Sequence, residues 1–142
     1  MLSDKLLTEN DVVDAVRLAL QRRNWKIESW ASTAEAGIDI HATRLRDLLL
    51  IEAKGVTSSK SGSARYGTLM TSTQFFIQVA AALLKTAELR SANPSAEVAI
   101  AVPNHSRMRE RIRKIEPVLM SARIGVLWVS NDLQVTAWNL KW

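Results

Sequence analysis

Cysteine is absent from the 142-residue chain, which excludes a disulfide framework and any thiolate metal site and makes a reducing, intracellular compartment the simplest setting. Met1 to Glu9 carries Asp4, Lys5 and Glu9 in place of the long apolar core of a secretory leader, and no later run approaches a membrane span. A cytoplasmic location with no membrane partner is expected. The two histidines, His41 and His105, stand at no recognised ligand spacing, so a zinc site is not expected. The chain also lacks an internal repeat and an interdomain linker, and its length suits one core. Residues 1–142 are therefore expected to form a single domain, with no separate helix-turn-helix or zinc module to read bases.

What is present has the composition of a folded protein. Hydrophobic residues make up 47% and charged residues 23%, far from the polar balance of disordered chains. Nineteen Lys and Arg against fourteen Asp and Glu give a formal charge of +5, a moderate excess that favours polyanionic partners without specifying one.

Thr8 and Asp11 resemble a capping box, and Val12, Val13, Val16, Ala19 and Leu20 follow at helical spacing, so a first helix is expected over 8–23. Residues 25–31 and 38–43 alternate like half-buried strands, and 48–53 is a continuous apolar run suited to a central strand, with a turn at 45–47. Residues 55–71, rich in Ser, Thr, Gly and Lys, read as a long loop. Thr71 and Gln74 form a second capping box ahead of Phe75, Phe76, Val79, Ala80, Leu83, Leu84 and Ala87, a stripe broad enough for a buried helix that ends at Asn93 and Pro94. A strand over 98–102 precedes a basic amphipathic helix over 106–122, with Met108, Ile112, Ile115 and Leu119 on one face and Pro117 kinking or restarting it. Residues 126–130 and 133–138 complete the chain as a hairpin. The expected fold class is α/β, a mixed central sheet flanked by helices in the order αβββαβαββ.

The chemistry concentrates in Gly37-Ile38-Asp39-Ile40 and Leu49-Leu50-Ile51-Glu52-Ala53-Lys54-Gly55. Glu52 and Lys54 are two residues apart, so on an extended strand they share a face while Ala53 takes the other. Asp39, at the start of the preceding strand, reaches the same end. Carboxylates gathered this way suit a hard divalent cation, Mg2+ or Mn2+, with the Ala53 carbonyl as a further oxygen ligand. The Lys54 ammonium is then available to orient a water and steady developing negative charge. The competing reading is an ordinary salt bridge between neighbouring strands.

An Asp followed by an apolar strand ending in Glu-x-Lys resembles the signature of the PD-(D/E)XK nucleases, and the element order over 8–102 resembles their restriction-endonuclease-like core. The resemblance implies a Mg2+-dependent nuclease acting on nucleic acid, with DNA favoured and RNA left open, and with Asp39, Glu52 and Lys54 as the signature residues. Ile38 stands where the family name has proline. The resemblance also assigns Glu9 to the acid that many of these nucleases carry on the first helix, a position equally well explained as a first-turn acid favoured by the helix dipole. Gln74 matches a polar active-site residue of several subfamilies, or serves only its capping box.

Lys60, Arg65 and Tyr66, with Ser58 and Ser59, offer phosphate contacts and a stacking ring, or else form a solvated loop. Arg107, Arg109, Arg111, Arg113 and Lys114 make the last long helix basic; Arg107 and Arg111 are its candidate phosphate contacts, although the spacing spreads the cations over more than one face. The tryptophans read as packing residues, with Trp142 open to a homodimer contact. Sequence specificity would have to come from loops, dimerisation or a partner subunit. Two alternatives to an enzyme remain at this level: a non-catalytic nucleic-acid-binding subunit of a repair, restriction or mobile-element system, and an interaction protein whose acids merely pair with Lys54.

Overall fold

The computed structural model describes residues 5–30, 37–57 and 67–142. Lys60, Arg65 and Tyr66, named above as candidate phosphate and base contacts, lie outside them. The elements are α1 (Glu9–Arg22), β1 (Lys26–Trp30), β2 (Ile40–Arg44), β3 (Asp47–Ala53), α2 (Ser72–Ala92), β4 (Glu97–Pro103), α3 (Ser106–Arg113), α4 (Glu116–Ser121), β5 (Ile124–Val129) and β6 (Val135–Trp138). All six strands join one sheet in chain order. The β1–β2, β2–β3 and β5–β6 pairs are antiparallel, while β3–β4 and β4–β5 are parallel. Parallel neighbours need crossover connections, which α2 and the α3–α4 pair supply.

Alternation along the strands divides the interior into two cores. Leu49, Ile51, Ala53, Ala99, Ala101 and Leu127 face α1 and pack with Leu7, Val12, Val16 and Leu20. Leu50, Val98, Ile100 and Val126 face the other way and pack with Phe75, Val79, Met108, Ile112 and Leu119. A sheet covered on both faces explains why β3 and β4 read as unbroken apolar runs. Glu52 follows Leu50 in the alternation and so projects on the α2 side.

The expected restart of the basic helix at Pro117 is borne out and alters the element order, and two further expectations are corrected. The basic helix is two helices, because Pro117 lacks an amide proton and its ring collides with the carbonyl four residues back; α3 stops at Arg113 and α4 restarts with Pro117 in its first turn. The element order is thus αβββαβααββ. The apolar stripe of α2 is narrower than expected: Phe75, Val79, Ala82 and Thr86 are buried, whereas Phe76 and Leu84 are 56% and 64% exposed. Strand β2 begins at Ile40, leaving Asp39 just outside the ladder. Among the described residues no helix is long and apolar enough to cross a membrane.

One backbone approach fixes how α1 meets the sheet. After Lys54 the chain runs beside the segment entering α1: Val56 N–H donates to the Leu7 carbonyl at 2.9 Å, and Thr8 and Thr57 form a parallel bridge. A β-carbon on Gly55 would lie 2.5 Å from Glu9 N, 2.6 Å from Thr8 C and 2.9 Å from Leu7 O, all backbone atoms that cannot rotate away. Gly55→Ala is therefore expected to lower unfolding free energy by roughly 2 kcal/mol or more, since relief requires moving α1 as a body. Urea unfolding checks this; an unchanged midpoint would contradict the close approach.

Candidate metal centre

Each acidic side chain of the candidate site arrives from a different element, for a local reason. Thr8 caps α1, its hydroxyl accepting from Asp11 N–H at 3.1 Å while Asp11 Oδ2 accepts from Thr8 N–H at 2.9 Å. That box starts the helix at Glu9, and the Gly55 contact presses this first turn against the end of β3. Asp39 follows Gly37, whose φ of +120° suits a residue without a β-carbon. Asp39 Oδ2 accepts the Ala53 N–H at 2.8 Å and so substitutes for the backbone partner that β2 no longer supplies there. Glu52 stands one residue before the end of β3 and is only 2% exposed; Asp39 is 7% exposed.

The structure brings Glu9, Asp39 and Glu52 together, with one carboxylate oxygen of each within 4.8 Å of the others. Lys54 Nζ lies 3.4 Å from Glu52 Oε1, so the same-face relation expected from the Glu-x-Lys spacing is realised. In an extended strand a residue's N–H and C=O project toward the same neighbour. Ala53 N–H goes to Asp39 while Lys54 N–H goes to Ala101 O on β4, so the Ala53 carbonyl faces the Asp39 flank. Gln74 closes the α2 capping box, its Oε1 accepting the Thr71 N–H at 2.7 Å.

Sequence reasoning missed Lys85. From the middle of α2 its Nζ reaches 3.5 Å from Glu52 Oε2 and donates to the Gly37 carbonyl at 2.9 Å. The available signal was its position: Lys85 is the first charged residue of α2, within a long uncharged stretch and next to Thr86 on the buried face. At 1.5 Å per residue Lys85 is about 16 Å along the axis from Gln74, which stands in the first turn of α2.

The electrostatics are those of a site short of positive charge. Burial pushes the Glu52 carboxyl up to about 7, and the charge of Asp39 adds to this while Lys54 and Lys85 oppose it. Burial, then Asp39, also raises Glu9. Glu52 Oε2 is buried without a hydrogen-bond donor. An orphaned carboxylate oxygen among two further carboxylates, all hard oxygen donors, fits Mg2+ or Mn2+ by donor chemistry.

A second polar feature lies where α3 follows β4. Ser72, Phe75, Arg107, Glu110, Arg111 and Lys114 line a cavity of about 310 Å³ between α2 and α3. Arg107 Nη1 donates to Ser72 Oγ at 3.2 Å, and the Arg111 guanidinium lies 5.3 Å from the Phe76 ring centroid. Arg109 and Arg113 face a different hollow, with Trp128 and Thr136, so the cations do divide between two faces. Because β3 and β4 are parallel with Ala53 opposite Ala101, the acidic cluster and the start of α3 lie at the same, C-terminal edge of the sheet.

The raised carboxyls set a pH dependence. Between the ordinary value of 4.5 and about 7 the folded chain holds a proton on Glu52 that the unfolded chain has released. Stability contributed by this group is present below 4.5 and is lost as pH rises through about 7. In chelator, the urea midpoint is expected to fall from pH 5 to pH 8, and Glu52→Gln should flatten that decline; an equal decline in Glu52→Gln would assign it elsewhere.

No protein-family model matches the chain, and no curated protein matches it. Two solved structures do: an XisH family protein from Nostoc punctiforme PCC 73102 and an FdxN element excision controlling factor protein from Anabaena variabilis. Each aligns with a TM-score of 0.53 at 16% identity, covering 89% of this chain and 96% of the other. The chain therefore shares the fold of these two proteins, which in this chain is a six-stranded mixed sheet flanked by helices.

Proposed function

We propose that the chain is a metal-dependent nuclease of the PD-(D/E)XK type, hydrolysing phosphodiester bonds of nucleic acid, with DNA as the preferred substrate. The observation that carries this reading is the convergence of Glu9, Asp39 and Glu52 within 4.8 Å, with Lys54 at 3.4 Å from Glu52. Glu9, Asp39, Glu52 and the Ala53 carbonyl would hold the ion. Bound Mg2+ or Mn2+ supplies Lewis-acid polarisation of a phosphoryl oxygen and a more acidic water. Beside the carboxylates that would hold the ion, Lys54 would help to orient the attacking water. Lys54, only 17% exposed, presents its ammonium to the negative charge that develops on phosphate, in surroundings where water screens it weakly.

The α2–α3 cavity supports a place for the nucleic-acid backbone, since three of its lining side chains are cationic and it opens at the same edge of the sheet as the acids. Phosphate contacts of this kind position a strand without reading its sequence. A second reading, a non-catalytic nucleic-acid-binding subunit of a mobile-element system, is favoured by one observation: the Anabaena variabilis neighbour is described as a controlling factor for excision of an element.

Lys54 separates the two readings. With branched, single-stranded and duplex DNA plus Mg2+ or Mn2+, the wild type is expected to cut in a chelator-sensitive manner, and Lys54→Ala to lose about a hundredfold or more in rate while staying folded. Tight DNA binding by the wild type with no cutting of any substrate would favour the subunit reading. For the backbone contacts, Arg107→Ala with Arg111→Ala should weaken binding to all sequences and reduce the log–log salt slope by about 2. An unaltered slope would move the nucleic-acid surface away from α3.

A further inference from the structure

Glu52 is flanked by two lysines of different origin. Lys54 faces Oε1 from the residue that follows β3, and Lys85 faces Oε2 from α2. The second pair differs from the first in its anchoring, because Lys85 also donates to the Gly37 carbonyl, two residues before Asp39. Lys85 thus touches the segments that deliver two of the three acids. Its side chain is 47% exposed whereas that of Glu52 is 3% exposed, so the ammonium enters from solvent, as a metal ion would. At 3.5 Å it makes an ion pair with Oε2 but no hydrogen bond, and that oxygen remains an orphaned buried acceptor. A group tied to Glu52 by charge alone is one that another cation can replace.

We propose that Lys85 is the internal counter-cation of the acidic cluster, occupying the charge deficit of Glu52 and competing there with the divalent ion. The inference rests on the metal-site reading above and adds to it a residue that opposes metal. Three carboxylates and two ammonium groups leave the cluster with one formal negative charge. This residue allows the cluster to fold without an ion and repels an arriving one by Coulomb interaction at short range. The ion is consequently held more weakly than three carboxylates and a carbonyl would hold it alone. A phosphodiester supplies the missing negative charge, so ion and nucleic acid load together.

The sign of one measurement decides between this role and that of a strut. A strut that merely holds Gly37 and Asp39 in place would, when removed, loosen the site and weaken metal binding. A competing cation would, when removed, strengthen it. Mn2+ is titrated into the wild type, Lys85→Met and Lys85→Arg by calorimetry at about pH 8.5 without nucleic acid, so that the acids are ionised in all three. Lys85→Met is expected to bind Mn2+ about tenfold more tightly, the order of magnitude for removing one partly screened charge beside the site. Lys85→Arg, which keeps the charge, should stay within about twofold of wild type. Should Lys85→Met fold poorly, Lys85→Gln removes the charge while keeping a donor for the Gly37 carbonyl, with the same expectation. Equal or weaker binding by the neutral variants overturns the role of Lys85 and leaves the metal site standing. Absence of Mn2+ binding from every chain overturns both.

Discussion

Gathering carboxylates where water is scarce costs free energy, and the surroundings of Glu52 are organised by that cost. At 2% exposure the charge cannot be solvated in the ordinary way, and the neighbouring Asp39 opposes its ionisation further. Three responses are visible. Part of the cost is avoided by holding the proton, since the carboxyl titrates near 7. Part is offset by two ammonium groups at 3.4 and 3.5 Å. Asp39 is stabilised separately, through the hydrogen bond from Ala53 N–H. Strongly shifted ionisation of the kind seen at Glu52 collects at functional sites.

The scaffold keeps these groups in register through backbone contacts more than through side chains. The bare α-carbon of Gly55 lets the segment 7–9 lie against the end of β3, and Glu9 is carried to the cluster by that approach. The turn at Gly37 brings Asp39 up to Ala53. The two apolar cores on either side of the sheet then hold α1 and α2 over opposite faces. Acids from α1, from the segment before β2 and from β3 converge because three independent packing relations are satisfied together. A shift in any one would separate them without unfolding the chain.

The parallel arrangement of β3 and β4 also puts chemistry and charge at one edge. Strand β4 ends beside Lys54, whose N–H donates to Ala101 O, and the chain then enters α3 with Arg107 and Arg111. In open α/β sheets this C-terminal edge is where ligands usually sit, because helix starts and loop residues meet there. The basic α2–α3 cavity and the acidic cluster are therefore related by topology, and under the proposed function the first would hold a polyanion and the second its counter-ion.

Local patterns in the sequence determined most of the elements. Thr8 with Asp11, and Thr71 with Gln74, marked both helix starts, because a capping box is a contact between residues three apart. The unbroken apolar run of β3 and its Glu-x-Lys end located the site, and strand periodicity alone put Glu52 and Lys54 on one face. Pro117 marked the break that separates α3 from α4. What depends on distant residues was decided only by the tertiary structure. Whether Glu9 is a dipole acid or a neighbour of Asp39 turns on the Gly55 contact, 46 positions away in sequence. The exposure of Phe76 and Leu84 turns on how much of α2 the sheet covers. Lys85 reaches Glu52 across 33 positions, and no helical or strand period links them. Spacing along a chain encodes which side chains share a face; which faces meet is set by packing, and the charge balance of this site is a property of the meeting.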